Sequence, residues 1–354
     1  MSLRDWVLGL FGRGPNPEVG PRVVRGHATH VVILDGTASS LMPGCETNAG
    51  LTYKLLKEVG ARGDLSIYYE AGIQWQDWRG TWDVMTGKGI NRQIRRAYGV
   101  LASRYRPGDK IVLIGYSRGA YAVRSLAGVL DMVGLLKAEA ATVSNIRTAY
   151  RHYQAGATSQ ASAEFRRLCH EDAPIEAVAV WDTVKALGFR VPLLWRWTMR
   201  KHAFHNHALG QSIRNGFHAV ARDETRMAYA PVMWTCPLEW QGHMEQVWFK
   251  GTHADVGGQV GPSQQFRPLS NIPLVWMLER LDMRGVPLPD GWESRFPQDV
   301  ATPSIGRWHG WAKMFFHRRK RKIGACRSES LHASIAGDGG IEPDDVVPVR
   351  STAG

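Results

Sequence analysis

The fold is decided by one stretch of the sequence, residues 110–127, which reads KIVLIGYSRGAYAVRSLA. Its first five residues, Lys110–Ile114, form an apolar, largely β-branched run that is typical of a buried strand. The residues after Gly119 place small and apolar side chains at helical spacing. Between the two lies a GxSxG pentapeptide, whose glycines allow the backbone to turn sharply. The stretch therefore predicts a strand, a tight turn and a helix, with Ser117 exposed at the turn.

The rest of the chain alternates strands with helices in the same way. Predicted strands lie at His30–Leu34, Leu65–Tyr69, Ile175–Trp181 and Gln246–Phe249, and predicted helices at 48–59 and 90–105. This alternation is typical of the α/β class, with a mostly parallel sheet and helices on both faces.

The sequence also predicts how the chain is divided. We expect an amphipathic or tether-like N-terminal segment at 1–28, one α/β domain at 29–336 and a polar tail at 337–354. Residues at about 190–235 are rich in Trp, Arg and His, and we expect them to form a helical insertion that caps the sheet.

Composition excludes several classes of protein. With 44% hydrophobic and 21% charged residues in 354, the chain is neither disordered nor fibrous. No apolar run approaches the roughly 20 residues of a membrane-spanning helix, and the N-terminus is too polar for a secretory signal. We therefore expect a cytoplasmic or membrane-peripheral protein, with export independent of a signal peptide left open.

The four cysteines are scattered and lack the spacing of zinc ligands. They predict unpaired thiols, and we expect no metal and no cofactor.

The net charge of +12 is unevenly distributed. Six cations lie within ten residues, at Lys313, Arg318, Arg319, Lys320, Arg321 and Lys322. Such a run either contacts phosphate, as in anionic lipid headgroups, or forms a solvated surface. No stacking motif or recognition helix accompanies it, so nucleic acid is not an expected partner.

Ser117 is the candidate nucleophile, and the chemistry requires partners for it. A histidine must take the serine proton and an acid must orient that histidine. In this arrangement the acid and the histidine follow the serine in the chain, on loops at strand ends. Asp182 and His253 each follow a predicted strand, while Asp255 is an alternative acid that could instead brace the following glycine turn.

The other predictions for the site concern the oxyanion and the remaining histidines. The amide of Arg118 and the loop at Gly36 and Thr37 are expected to bind the developing negative charge. His218 is interpreted as part of a structural polar network, and His332 as a backup base.

Taken together, these residues resemble a family of bacterial and fungal α/β-hydrolases that includes phospholipase effectors of the type VI secretion system. The resemblance rests on five motifs in order, Leu34–Thr37, Gly115–Tyr121 with Arg124, Val180–Val184 with Gly188, Ala221–Arg226 and Trp248–Gly258. The chain departs from the family pattern at Ala38, where tryptophan is usual, and at Gln259, which replaces a third glycine.

The resemblance implies a serine-dependent lipid esterase, so the expected substrate is a lipid or small ester. Peripheral contact with an anionic membrane surface is expected from the basic run. Two alternatives stay open: a non-catalytic binding module with the same fold, and a thioesterase or amidase that uses the same residues.

Overall fold

The computed structural model of the chain describes residues 26–60, 64–72, 88–185, 208–306 and 318–335. The strands within these ranges are β1 (Thr29–Leu34), β2 (Leu65–Glu70), β3 (Lys110–Tyr116), β4 (Ile175–Trp181), β5 (Asn215–Ala221), β6 (His243–Phe249) and β7 (Glu329–Leu331). The helices are α1 (Asn48–Glu58), α2 (Lys88–Arg104), α3 (Arg118–Met132), α4 (Val143–Gln154), α5 (Gln160–Phe165), α6 (His253–Gly257) and α7 (Arg267–Met283). The described residues do not include residues 1–25 of the predicted segment 1–28. They also do not include the predicted polar tail 337–354.

The described strands form one sheet in the order β2-β1-β3-β4-β5-β6-β7, and every neighbouring pair is parallel. Alternate side chains of each strand enter different cores, since successive residues of a strand point to opposite faces. Val32 and Leu34 of β1 pack with α2, α3 and α4, whereas Val31 and Ile33 pack with α1 and α7. The predicted α/β-hydrolase fold, with helices on both faces of a parallel sheet, is confirmed.

The order of the strands places a crevice in the middle of the sheet. From β1 the chain adds β2 on one side and β3 on the other, so the direction of winding reverses between β1 and β3. Ligands of open α/β sheets bind beyond the carboxyl ends of the strands at such a switch point. The loop after β1 and the turn after β3 meet there.

The prediction of a helical insertion at about 190–235 is wrong for the described part of that range, residues 208–235. Residues 190–207 lie outside the described residues, but the remainder contributes β5, a fully buried strand between β4 and β6. Its sequence contains Asn215, Gly216 and His218, which obscured the apolar pattern of a central strand. His218 is accommodated because its Nε2 accepts from the Thr183 amide at 3.2 Å and its Nδ1 lies 3.4 Å from the Gln246 side-chain oxygen.

The last described segment, residues 318–335, is attached to the far edge of the sheet. Its strand β7 pairs with β6, and a disulfide joins Cys326 to Cys236, whose Cα atoms are 6.3 Å apart. The expectation of unpaired thiols is therefore wrong for this pair, because β7 brings together cysteines 90 residues apart, while Cys45 and Cys169 are free. No helix in the described ranges has the length and apolar character needed to cross a bilayer.

Candidate active site

Ser117 lies in the turn between β3 and α3, in a strained conformation. Its φ of 57° and ψ of −120° lie in a region that non-glycine residues rarely adopt. The turn is possible because Gly119 lets α3 approach β1: a Cβ at that position would lie 2.0 Å from the Leu34 carbonyl oxygen. The strand–turn–helix unit predicted from the sequence is therefore present, with Ser117 at the carboxyl end of the sheet.

A chain of hydrogen bonds joins Ser117 to two residues that are distant in sequence. Ser117 Oγ lies 2.9 Å from His253 Nε2, and His253 Nδ1 lies 2.5 Å from Asp182 Oδ2. All three side chains are buried, with exposed fractions of 6%, 3% and 0% for Ser117, His253 and Asp182. The structure thus brings together the serine, histidine and acid that strand-end position had singled out.

Three residues fix the position of His253 at the start of α6. Its backbone amide donates to Glu224 Oε2 at 3.3 Å, and Glu224 is itself buried against Arg226. The imidazole stacks on Tyr116, with ring centroids 5.0 Å apart, and contacts Tyr229 at 4.7 Å on a tilted ring. Burial alone would raise the pKa of Glu224, but hydrogen bonds from Arg226 and the charge of Arg226 hold it below its ordinary value. The Ala221–Arg226 motif therefore supports the histidine through Glu224, a role that the sequence analysis did not predict.

Asp255 is engaged elsewhere. Its carboxylate accepts from the Thr252 amide and hydroxyl, each at 2.7 Å, which caps the N-terminus of α6. It also accepts from the Ser304 hydroxyl at 2.5 Å and from the Ile305 amide at 2.9 Å. Since Asp182 and not Asp255 receives the His253 hydrogen bond, the geometry favours Asp182 as the orienting acid.

Asp182 has a second partner, the guanidinium of Arg321, which the sequence pattern did not indicate as a site residue. Arg321 Nη1 donates to Asp182 Oδ1 at 2.6 Å, and Nη2 donates to Oδ2 at 3.0 Å. The same guanidinium donates to the backbone carbonyls of Ala221 and Tyr229, at 2.6 and 2.5 Å. Arg321 belongs to the basic run at 313–322, which was expected to be a surface, but it is only 8% exposed. Of that run, Lys313 lies outside the described residues, and Arg319, Lys320 and Lys322 are exposed.

The electrostatics of Asp182 follow from this surrounding. Complete burial would raise the pKa of its carboxyl. The charge of Arg321, the hydrogen bond from His253 and the charge of His253 outweigh burial and hold the pKa of Asp182 below its ordinary range. Asp182 is therefore ionised throughout the neutral range.

The loop after β1 lies beside Ser117. A Cβ on Gly36 would lie 2.6 Å from the Tyr116 ring and 3.3 Å from Ser117 Cβ, so only glycine allows the loop this close. The Gly36 amide already donates to Asp35 Oδ1 at 2.6 Å. In the described part of the chain, no acceptor is present for the amides of Thr37 and Arg118. Within the described residues, these two amides differ in this respect from the Gly36 amide, which is already engaged by Asp35.

Gln259, a departure from the family pattern, connects this loop to the rest of the site. Its Nε2 donates to the Thr37 carbonyl at 3.0 Å, and its Oε1 accepts from the Tyr116 hydroxyl at 3.3 Å. Gln259 therefore links α6, β3 and the loop after β1.

The remaining histidine predictions fall away from Ser117. His218 lies within β5, where burial lowers its pKa to about 3, as befits a neutral structural side chain. His332 stacks on Phe249, with ring centroids 4.6 Å apart, and its Nδ1 accepts from the Ser334 amide at 3.1 Å. No cluster of three or more possible metal ligands occurs within the ranges that the structure describes.

The parallel sheet and the serine at its strand-end turn define an α/β-hydrolase. Residues 29–280 match the family model of the type VI secretion phospholipase effector Tle1-like catalytic domain, and the chain belongs to this family. The family model is named for phospholipase effectors.

Individual relatives are more distant. YEL023C of Saccharomyces cerevisiae is 25% identical over 266 residues, which cover 66% of this chain and 37% of the yeast protein. The structure of the Tle1 effector bound to the VgrG spike of the type VI secretion system has a TM-score of 0.35 and 16% identity, covering 66% of this chain and 51% of that one. The apo form of Thermogutta terrifontis esterase 2 has a TM-score of 0.34 and 15% identity, covering 75% and 87%. The chain thus spans little more than a third of the yeast relative and about half of the Tle1 effector.

Proposed function

We propose that the protein is a serine ester hydrolase that cleaves an acyl ester of a lipid, with phospholipids as the favoured class. The observation that carries the proposal is the hydrogen-bonded chain from Ser117 through His253 to Asp182, which begins at a strained strand-end turn. The family's phospholipase effectors support a lipid substrate.

The arrangement supports a two-step acyl transfer. Ser117 Oγ attacks the ester carbonyl carbon while His253 Nε2 takes the hydroxyl proton, and the carbonyl oxygen becomes an oxyanion held by the amides of Thr37 and Arg118. The intermediate collapses, His253 returns the proton to the leaving alcohol, and an acyl ester on Ser117 remains. Water then attacks that ester with His253 as base, which releases the fatty acid and restores the serine. Asp182 stays ionised throughout and stabilises the imidazolium.

A fluorophosphonate probe tests the nucleophile. We expect stoichiometric labelling of the intact protein at Ser117, because the probe reacts with an activated serine and leaves a stable phosphonyl adduct. Ser117→Ala should abolish labelling and lower ester hydrolysis by about four to six orders of magnitude. Ser103→Ala, which alters an exposed serine on α2, is the matched control and should label normally.

The same experiment separates the other functions. An intact, folded protein that does not label is a binding module and not an enzyme of this class. If labelling occurs but thioesters or amides are cleaved faster than oxygen esters, the proposed substrate class is wrong.

The lipid substrate is tested by comparing hydrolysis of a soluble butyrate ester with hydrolysis of phosphatidylcholine vesicles with and without phosphatidylglycerol. We expect anionic vesicles to be preferred, since Arg319, Lys320 and Lys322 are exposed cations.

A further inference from the structure

The side chain of Arg321 is unusual for a member of a basic run, because it is buried and its guanidinium donates to groups inside the protein. Four hydrogen bonds leave its guanidinium, two to the carboxylate of Asp182 and one each to the carbonyls of Ala221 and Tyr229. Planar guanidinium matches a carboxylate in this paired geometry, whereas the ammonium of lysine does not.

Asp182 needs such a partner. A buried carboxylate without a countercharge is strongly disfavoured. The carboxylate of Asp182 is 0% exposed and accepts from the Ala221 amide at 3.0 Å in addition to Arg321 and His253. Each oxygen of Asp182 thus receives one N–H of Arg321, which leaves Oδ2 directed at His253 Nδ1.

The segment that carries Arg321 is tied down on both sides of it. The Arg319 amide donates to the Thr225 carbonyl at 2.8 Å, so the backbone before Arg321 follows the loop that supports His253. Beyond Arg321, β7 pairs with β6 and the Cys236–Cys326 disulfide holds the chain at the sheet edge. Arg321 also lies outside residues 29–280, the region that the family model matches.

We propose that Arg321 is a positioning residue for the Ser117 site: it holds the carboxylate of Asp182 in the orientation that faces His253, and it limits how strongly Asp182 draws a proton onto His253. This inference rests on the proposed function, because it concerns the acid and the base of that reaction. Other titratable and charged groups face the Asp182–His253 pair as well, namely Glu224, Arg226, Tyr116, Tyr229 and His218.

Three variants test the proposal with a soluble butyrate ester, which avoids any effect of membrane charge. In Arg321→Met, we expect kcat/KM to fall about 10- to 100-fold, and the acidic limb of its pH profile to move up by about one pH unit. The acidic limb moves to higher pH because Arg321 no longer competes with the imidazolium of His253 for the carboxylate of Asp182. In Arg321→Lys, the charge remains but the paired geometry does not, so kcat/KM should fall about 10-fold while the limb stays in place. Arg327→Gln removes a positive charge from an exposed position of the same segment and should match the wild type in both.

A second readout does not depend on turnover. The imidazole resonances of His253, followed by NMR against pH, should titrate at a higher pH in Arg321→Met than in the wild type. The proposal is overturned if folded Arg321→Met keeps the wild-type titration and pH profile, or, should that variant not fold, if Arg321→Lys keeps the full wild-type kcat/KM. Failure of the wild type to label at Ser117 would instead overturn the proposed function, and the NMR titration would still decide the role of Arg321.

Discussion

Among the described residues, the buried carboxylate of Asp35 has no cationic partner, unlike that of Asp182. Its carboxylate accepts only from neutral groups, the Gly36 amide at 2.6 Å, the Thr47 hydroxyl at 2.7 Å and the Tyr69 hydroxyl at 2.8 Å, among the contacts described. Burial raises the pKa of Asp35 to about 6, and these hydrogen bonds oppose the rise only in part. The two acids thus differ in proton affinity because Asp182 faces the guanidinium of Arg321, whereas the described partners of Asp35 are neutral.

This difference predicts a specific pH dependence of stability. The folded-state pKa of Asp35, about 6, lies above the unfolded value of 3.8, so the folded state retains a proton that the unfolded state has lost. Stability should therefore fall as the pH rises from about 4 to about 6, by on the order of 3 kcal/mol in all, and this contribution should stay constant above that window. Asp35→Asn cannot ionise and should lack the contribution.

The measurement is urea unfolding of the wild type and Asp35→Asn between pH 4 and pH 8. The difference in unfolding free energy, wild type minus variant, should decrease with pH across the lower half of this range. A difference that is independent of pH, or that rises with pH, would show that Asp35 is not the group responsible.

At the scale of elements, the short helix α6 and the loop after β1 depend on Gln259. Its amide nitrogen holds the Thr37 carbonyl and so fixes the peptide that follows β1. Gln259→Ala should lower kcat about 10-fold with a small change in KM, because a loosened Thr37 amide stabilises the oxyanion less well, and loss of one such donor costs about 100- to 1000-fold at most. Steady-state kinetics on a soluble ester measure the effect.

The control for this prediction is Gln241→Ala, which removes the same side chain from an exposed position before β6. Equal kcat in Gln259→Ala and the wild type would mean that the loop after β1 is held by its other contacts, such as the hydrogen bonds to Asp35.

The elements that the sequence predicted well are those whose burial comes from their own residues. β1 and β3 are continuous apolar runs, and α1 and α2 have one apolar face, so local patterns were sufficient. β5 was missed because its Asn215, Gly216 and His218 are stabilised by neighbours: the Asn215 amide donates to the Glu176 carbonyl at 2.7 Å, and His218 accepts from the Thr183 amide. Such compensation comes from tertiary contacts, which a local pattern does not contain.

The residues of the site follow the same rule. Ser117, Asp182 and His253 were predictable because each stands where an apolar strand ends. Glu224 and Arg321 were not, since their importance comes from contacts with residues 29 and 139 positions away in the chain. Arg321 was further obscured because its neighbours in the sequence are exposed cations.

At the scale of the whole molecule, the Cys236–Cys326 disulfide closes a long loop around β6. The two cysteines are 90 residues apart, so the bond removes considerable freedom from the unfolded chain. Replacing both cysteines by serine should lower the unfolding free energy by about 2–4 kcal/mol. The check is denaturant unfolding of the wild type with and without reductant, compared with the double variant.

We expect the reduced wild type and the double serine variant to unfold at the same denaturant concentration, below that of the oxidised protein. Cys169→Ser alters a free, buried thiol and serves as the control. Reductant should shift its unfolding midpoint by the same amount as it shifts that of the wild type. Identical midpoints for the oxidised protein and the double variant would contradict the prediction.

The late position of Arg321 has a consequence for synthesis on the ribosome. Ser117, Asp182 and His253 emerge in that order, and all of them precede the residue that neutralises Asp182. A growing chain that has reached residue 280 already carries the three, yet it would have to bury the Asp182 charge without a guanidinium. We therefore expect the nascent protein to reach the full activity proposed for it only after residue 321 has emerged and β7 has docked.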